Sequence, residues 1–371
     1  MIPIDKRLNF EECKEYVKQV KQCMDSATWD YLKESISSIN DDIKAKDSYL
    51  YRDLENDYYK WKKEYKDDYI VYSWITMNYS LLEKIKKFFD NTYIGQVVTN
   101  CKKLEKYDLN EVKSYSALLR RRKYPYDKNP NKIGIRNILD NKYDYDEIYE
   151  KFIECIKLYE KFSGKKINLW IIEKTNVKVC PYCNLAYTYN RGDSVTAQLD
   201  HFFSKSEYPM FALCYYNLIP SCPSCNHIKL DNNDEMTSPY VERAFKDMKV
   251  YWELSYNKDE LMKKKLEELS NNINIYISSP KSGDKKNISV MKLNEAYNYH
   301  KDYASEIIKK IQCYLNEDSK KLINSIAFKN GISNAEIERF YFGTYLNGDK
   351  ATSRILVKMV RDFIDQYKSM K

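Results

Sequence analysis

The sequence predicts a mainly helical chain, α+β overall, in which a small cysteine-bearing module separates two helical regions. Three observations carry this expectation. Apolar residues recur at three- and four-residue steps through much of the first 165 residues, the period of a helix with one buried face. Gly 8 and Pro 9 in 371 residues are too few for a turn-rich β protein. Four of the ten cysteines fall into two CxxC pairs, a grouping that core packing does not explain.

Taken in order, residues 1–165 form the expected helical N-terminal domain. EECKEYVKQVKQCMDS (11–26), YSLLEKIKKFFDN (79–91) and YEKFIECIKLYEKF (149–162) each gather apolar side chains on one face; in the last, Phe152, Ile153, Ile156 and Tyr159 share it. YPYDKNPN (124–131) is the clearest break. Residues 170–235 form the second region. Leu185 to Asn190 alternates and is rich in Tyr and Thr, Arg191-Gly192-Asp193-Ser194 is a turn signal, and Val195 to Leu199 suits the returning strand. A short helix is expected near the second CxxC pair. Residues 236–371 are expected to be mostly helical with a few strands: Val250–Tyr256 and Ile273–Ile277 as strands, Met291–Glu317 and Ile355–Tyr367 as helices.

Hydrophobic residues at 43% and charged residues at 31% exclude a fully disordered chain. No run approaches the ~18 apolar residues of a membrane-spanning helix. The first residues lead into charged sequence with no apolar core, so no signal peptide is expected, and a reducing cytoplasm is the expected compartment. There a disulfide framework is not expected, and the six scattered cysteines (Cys13, Cys23, Cys101, Cys155, Cys214 and Cys313) read as small apolar fillers. The abundance of Tyr and Lys is what codon bias in an AT-rich genome produces. A net charge of +8 permits contact with a polyanion without demanding it.

The CxxC pairs are Cys180-Pro181-Tyr182-Cys183 and Cys222-Pro223-Ser224-Cys225. A two-residue gap lets a tight turn aim both sulfurs at one point, and two such turns supply the four thiolates that tetrahedral Zn²⁺ prefers. The 38 intervening residues must loop out and return. With every position filled by sulfur, such a zinc is structural and contributes folding free energy to a module with little core. A redox dithiol is the competing reading of one CxxC alone.

Between and after the pairs stand Gln198-Leu199-Asp200-His201-Phe202, Asn217-Leu218-Ile219-Pro220 and Asn226-His227-Ile228-Lys229. The order CPYC, LDHF, YYNLIPSC, CNHIK closely resembles the HNH endonucleases, the zinc-bearing branch of the His-Me finger (ββα-metal) nucleases. The likeness covers about 50 of the 371 residues. It implies a ββα-metal module that hydrolyses phosphodiester bonds with one divalent cation, Mg²⁺ or Mn²⁺. A neutral imidazole can take a proton from water near pH 7, and His201 fits that role. By resemblance, Asp200 and Asn226 are the oxygen ligands of the cation, with His227 the rival of Asn226. Asn217 matches the middle Asn of the motif, whose side chain braces the loop and so orients the base. Lys229, one turn along the helix, is placed to contact a flanking phosphate. The sequence departs from many relatives at Phe203-Ser204-Lys205, where they carry Pro, and so lacks one source of loop rigidity.

Outside the module, Arg120, Arg121 and Arg122 form a basic run in a Lys-dominated chain, open to reading as a phosphate patch or a solvated helix end. His300 follows Tyr297 in a Tyr-x-x-His helix, which resembles stand-alone bacterial HNH proteins more weakly; a structural role and an approach to the site compete for it. Zinc-bearing HNH modules with helical flanks occur in bacterial restriction and anti-phage systems, where the Septu type pairs the nuclease with an ATPase. No GxxxxGK[ST] loop is present, so ATP dependence would need another defence-system subunit. DNA is the expected substrate, though the chemistry reads only the phosphate and RNA fits it equally. A zinc-stabilised nucleic-acid or protein binding module without catalysis is the alternative, as is an RNase toxin using the same site.

Overall fold

The computed structural model describes residues 1–94, 159, 167–205, 208–230, 235–254, 256–346 and 353–370. The chain is mainly helical with small antiparallel sheets, consistent with a mainly α or α+β class. Among the described residues no helix is long and apolar enough to cross a membrane. The chain divides into two compact units. Unit one holds Met1–Lys6, Ile172–Leu199 and Pro220–Lys371, and unit two holds Arg7–Ile171 and Asp200–Ile219. The residues of the 170–235 module are thus distributed over both.

Unit two is built on α1 (Phe10–Lys21), α2 (Ser26–Lys46), α3 (Ser48–Lys62), α4 (Tyr69–Thr76) and α5 (Tyr79–Phe89). Their starts are written locally. Asn9 and Glu12 close a capping box at α1, and Asp25, Asp47 and Asn78 each accept a backbone N–H from the first turn of α2, α3 and α5. Val71 to Thr76 of α4 are all buried, so this short apolar helix is the centre of the bundle. Buried with it in the unit are Tyr16, Val17 and Val20, Trp29, Ile36 and Ile43, Leu54 and Trp61, and Leu82, Ile85 and Phe89. The bundle also grips the returning segment 208–217. Tyr16 Oη donates to the Leu213 carbonyl at 2.8 Å, Trp74 Nε1 to the Met210 carbonyl at 3.0 Å, and Tyr208 Oη to Asp90 Oδ1 at 2.7 Å. The first two satisfy carbonyls of an irregular, largely buried stretch of backbone that has no ladder of its own.

In unit one, β3 (Lys249–Glu253) pairs antiparallel with β4 (Asn274–Ser278), with Tyr251 opposite Tyr276. A two-stranded sheet has two open edges, and here each edge is closed by one helix. Asp362 and Gln366, four apart on the helix Val357–Ser369, bond β3: Val250 N–H donates to Asp362 at 2.8 Å, Trp252 N–H to Gln366 Oε1 at 3.0 Å, and Gln366 Nε2 to the Trp252 carbonyl at 2.8 Å. Asn294 and Asn298 do the same for β4 through the N–H groups of Ile277 and Ile275.

The two strands β1 (Gln198–His201) and β2 (Leu218–Ser221) form the other sheet, each contributing residues to both units. The expected hairpin of Leu185–Asn190 with Val195–Leu199 is corrected here. Only isolated bridges, Val179 to Tyr187 and Arg191 to Ser194, form in that stretch, and the strand starts at Gln198. The expected helix at the second CxxC is Pro223–Lys229, and Met291–Glu317 divides into Leu293–Asn298 and Lys301–Leu315. Residues 149–162, apart from Tyr159, and the turn at 124–131 lie outside the described residues.

Candidate metal centre and histidine site

Within unit one, Cys180, Cys183, Cys222 and Cys225 are all buried, and their sulfurs lie within 4.8 Å of one another. Around tetrahedral zinc with Zn–S of about 2.3 Å, neighbouring sulfurs stand roughly 3.8 Å apart. Cys183 Sγ and Cys222 Sγ are 3.9 Å apart. The donor set therefore fits a structural zinc.

Local backbone explains how each turn is made. Asn184 follows the first pair at φ 58°, a left-handed conformation that Asn adopts more readily than most residues. This turn lets Leu185 N–H reach Cys183 Sγ at 3.3 Å and Asn184 N–H reach the Cys180 carbonyl at 2.9 Å. In the second pair Cys222 caps the helix Pro223–Lys229: Cys225 N–H points at Cys222 Sγ at 3.5 Å, and Pro223 sits in the first turn, where no N–H is needed. Burial pushes the Cys180 thiol well up, while Cys222 is held far down by hydrogen bonds from Cys180, Cys183 and Cys225. Four clustered sulfurs cannot ionise together in a buried site, and a divalent cation removes that conflict.

Sequence reasoning missed two residues that support the cluster. Fully buried Asn184 ties the first turn to the C-terminal helix: its Nδ2 donates to the Arg354 carbonyl at 3.1 Å, and its Oδ1 accepts from Lys358 N–H at 3.0 Å. Tyr297 Oη donates to the Cys183 carbonyl at 2.9 Å. Neither carries a local signal, because each acts across more than 100 residues. Of the scattered cysteines, Cys13 and Cys214 are core fillers as expected; burial pushes Cys13 up to about 12, which leaves it inert. Cys313 is exposed and departs from that expectation, and Cys101 and Cys155 lie outside the described residues.

Unit two holds Asp200, His201 and Asn217. His201 ends β1, and its Nε2–H donates to the Ala212 carbonyl at 3.0 Å. A carbonyl only accepts, so this bond places the ring proton on Nε2 and the lone pair on Nδ1. Tyr159 packs against the imidazole with ring centroids 4.2 Å apart at 72°. Asp200 is buried at 2% exposure. Burial first, and the Asp200 charge second, push the Tyr159 hydroxyl far up, so it stays protonated.

Asn217 is fully buried and uses its whole carboxamide on the loop after His201. Oδ1 accepts from Phe203 N–H at 2.7 Å, and Nδ2 donates to the carbonyls of Phe203 at 3.0 Å and Phe211 at 3.1 Å. Phe202 N–H donates to the Asn217 carbonyl at 2.8 Å. The brace expected from the sequence is present, and it supplies loop rigidity at a point where Ser204 stands in place of proline. Replacing Asn217 with Ala leaves three buried partners unsatisfied and should destabilise the protein by roughly 2–4 kcal/mol in a denaturant titration; a change under about 0.5 kcal/mol would show that the brace is redundant.

In unit one, Asn226 is half-buried and its Nδ2 donates to Gln198 Oε1 at 2.7 Å. His227 is exposed. Lys229 is corrected: it is fully buried, so it does not offer a solvent-facing ammonium to a flanking phosphate. His300 lies at the junction of two helices, its carbonyl accepting from Ala304 N–H at 2.8 Å. Arg120, Arg121 and Arg122 lie outside the described residues. No family model matches this chain, and no curated protein or solved structure matches it.

Proposed function

We propose that the protein is a metal-dependent endonuclease of the HNH type that hydrolyses phosphodiester bonds in DNA, with His201 as general base. The single observation that carries this reading is the fixed imidazole: Nε2–H is held by Ala212, so the basic nitrogen is Nδ1. A water beside Nδ1 would lose its proton to the ring as it attacks phosphorus. Asn217 keeps the loop carrying Phe202 and Phe203 from shifting the ring. A purely binding module needs none of these groups in this arrangement.

Asp200 offers the hard carboxylate oxygen that Mg²⁺ or Mn²⁺ prefers, and Asn226 Oδ1 is the second oxygen donor that the resemblance supplies. When bound, the cation would neutralise phosphate charge and stabilise the departing oxygen. The Asp200-His201-Asn217 group belongs to one unit and supports the base without reference to the other. Membership of a bacterial anti-phage or restriction system, with an ATPase subunit as partner, follows from the same likeness.

The test is a digestion panel of double-stranded DNA, single-stranded DNA and RNA, with Mg²⁺, Mn²⁺ or EDTA. Cleavage of double-stranded DNA that EDTA stops is the expected outcome. Cleavage of RNA alone would make the protein a ribonuclease with the same site. Binding without product in any metal would reject catalysis.

A further inference from the structure

The bond from Nε2–H to the Ala212 carbonyl at 3.0 Å anchors one ring atom of His201. One anchored atom chooses which way round the ring sits, but it does not set the ring plane. The terminal torsion of a histidine is broad and roughly two-fold, so the plane can still rock, and Nδ1 rocks with it. A general base works only when its nitrogen is held on the proton it takes. A second contact supplies that restraint. The ring of Tyr159 lies with its centroid 4.2 Å from that of the imidazole and at 72° to it, so the edge of one ring rests on the face of the other. That is tighter than the ~4.5–7 Å of ordinary aromatic pairs. Resting on the nuclease reading, we infer that Tyr159 is the positioning residue of His201: its flat ring fixes the plane in which Nδ1 meets the attacking water.

Tyr159 can act as a wall because it is itself confined. It is buried at 8% exposure, and a packed interior leaves a large flat side chain little room to yield. Its part is played by the ring. Burial first, and the Asp200 charge second, push the hydroxyl far up, so near neutral pH it neither takes a proton from water nor adds a charge beside the base. The same electrostatic contact with Asp200 brings the carboxylate, the imidazole and the phenol together within unit two. Tyr159 does not belong to the motif. It stands upstream of the first CxxC pair, on the apolar face that the sequence gives to 149–162 with Phe152, Ile153 and Ile156. The likeness of about 50 residues is therefore not a complete site: the helical N-terminal region supplies the surface against which the base is set.

The test compares the zinc-loaded full chain as wild type, Tyr159→Phe, Tyr159→Leu and His201→Ala. One readout is kcat and KM for cleavage of a short DNA duplex in Mg²⁺. The other is the imidazole N–H resonance of protein labelled with ¹⁵N-histidine; the chain has three histidines, and His201→Ala assigns the signal. Tyr159→Phe keeps the flat ring and should match wild type in both. Tyr159→Leu keeps apolar bulk without the plane. It should lower kcat by roughly 10–10²-fold, the cost of a slightly misplaced group, at an unchanged KM. It should also lose the N–H signal to exchange with water. A wild-type kcat and a retained signal in Tyr159→Leu would overturn the assignment and leave the nuclease reading standing. A raised KM at unchanged kcat would make Tyr159 a substrate-binding residue and overturn it too, as would a loss in Tyr159→Phe as deep as in Tyr159→Leu, which would assign the effect to the hydroxyl. An inactive wild type, or His201→Ala cleaving at the wild-type rate, would bring down the nuclease reading itself; the N–H signal would then decide alone whether Tyr159 fixes the ring.

Discussion

Substituting Cys222 with serine, or stripping the protein with a strong chelator, should release one equivalent of zinc and unfold unit one. The magnitude follows from two energies. Structural zinc at four thiolates contributes an apparent ~10 kcal/mol or more to folding, while a domain's whole stability is about 5–15 kcal/mol. The first turn is bonded through Asn184 to the start of Val357–Ser369 and through the Cys183 carbonyl to Tyr297. The same C-terminal helix closes the outer edge of β3 through Asp362 and Gln366. Loss of a zinc held there would therefore travel from the sulfurs to a helix and then to a sheet. Metal analysis with near-ultraviolet circular dichroism and limited proteolysis would follow it, with new cleavage expected in 172–199 and 220–371. A zinc-free protein that keeps its tertiary signal and its protease resistance would show that the cluster is ordinary packing.

Replacing His201 with alanine should reduce the single-turnover cleavage rate by about 10²–10⁴-fold, the range a positioned general base supplies. Fold and zinc content should be unchanged, because the ring is only partly buried and its bond at Ala212 goes to a backbone carbonyl near the surface. That separation matters. A histidine serving only as a core group would cost stability on removal and leave the chemistry alone, whereas a base costs rate and leaves the melting temperature within a few degrees. Both quantities measured on one preparation distinguish the two roles.

What could be read in advance was whatever is set by short covalent spacing. The two CxxC pairs come together because each turn aims its own sulfurs. The Asp200-His201 step and the brace at Asn217 were legible as a motif, although the bond that fixes the tautomer, to Ala212, has no signature in sequence. Alternation misled at Leu185–Asn190, because a strand needs a partner at the right register. The left-handed turn at Asn184 and the knuckle consume that backbone, leaving Tyr187 a single bridge. Lys229 was misplaced because a seven-residue helix has too little periodicity to say which face is covered. The helix-to-sheet closures by Asn294, Asn298, Asp362 and Gln366 carry no local signal, since only the tertiary fold brings these side chains to a strand edge.

The most direct measurement is the conversion of supercoiled plasmid in Mg²⁺ by wild type and by His201→Ala, at equal protein concentration and equal zinc content. Relaxed or linear product from wild type alone, stopped by EDTA, is the predicted result. Equal product from both proteins, or none from wild type in any divalent metal, would contradict the assignment of His201 as the base of a phosphodiesterase.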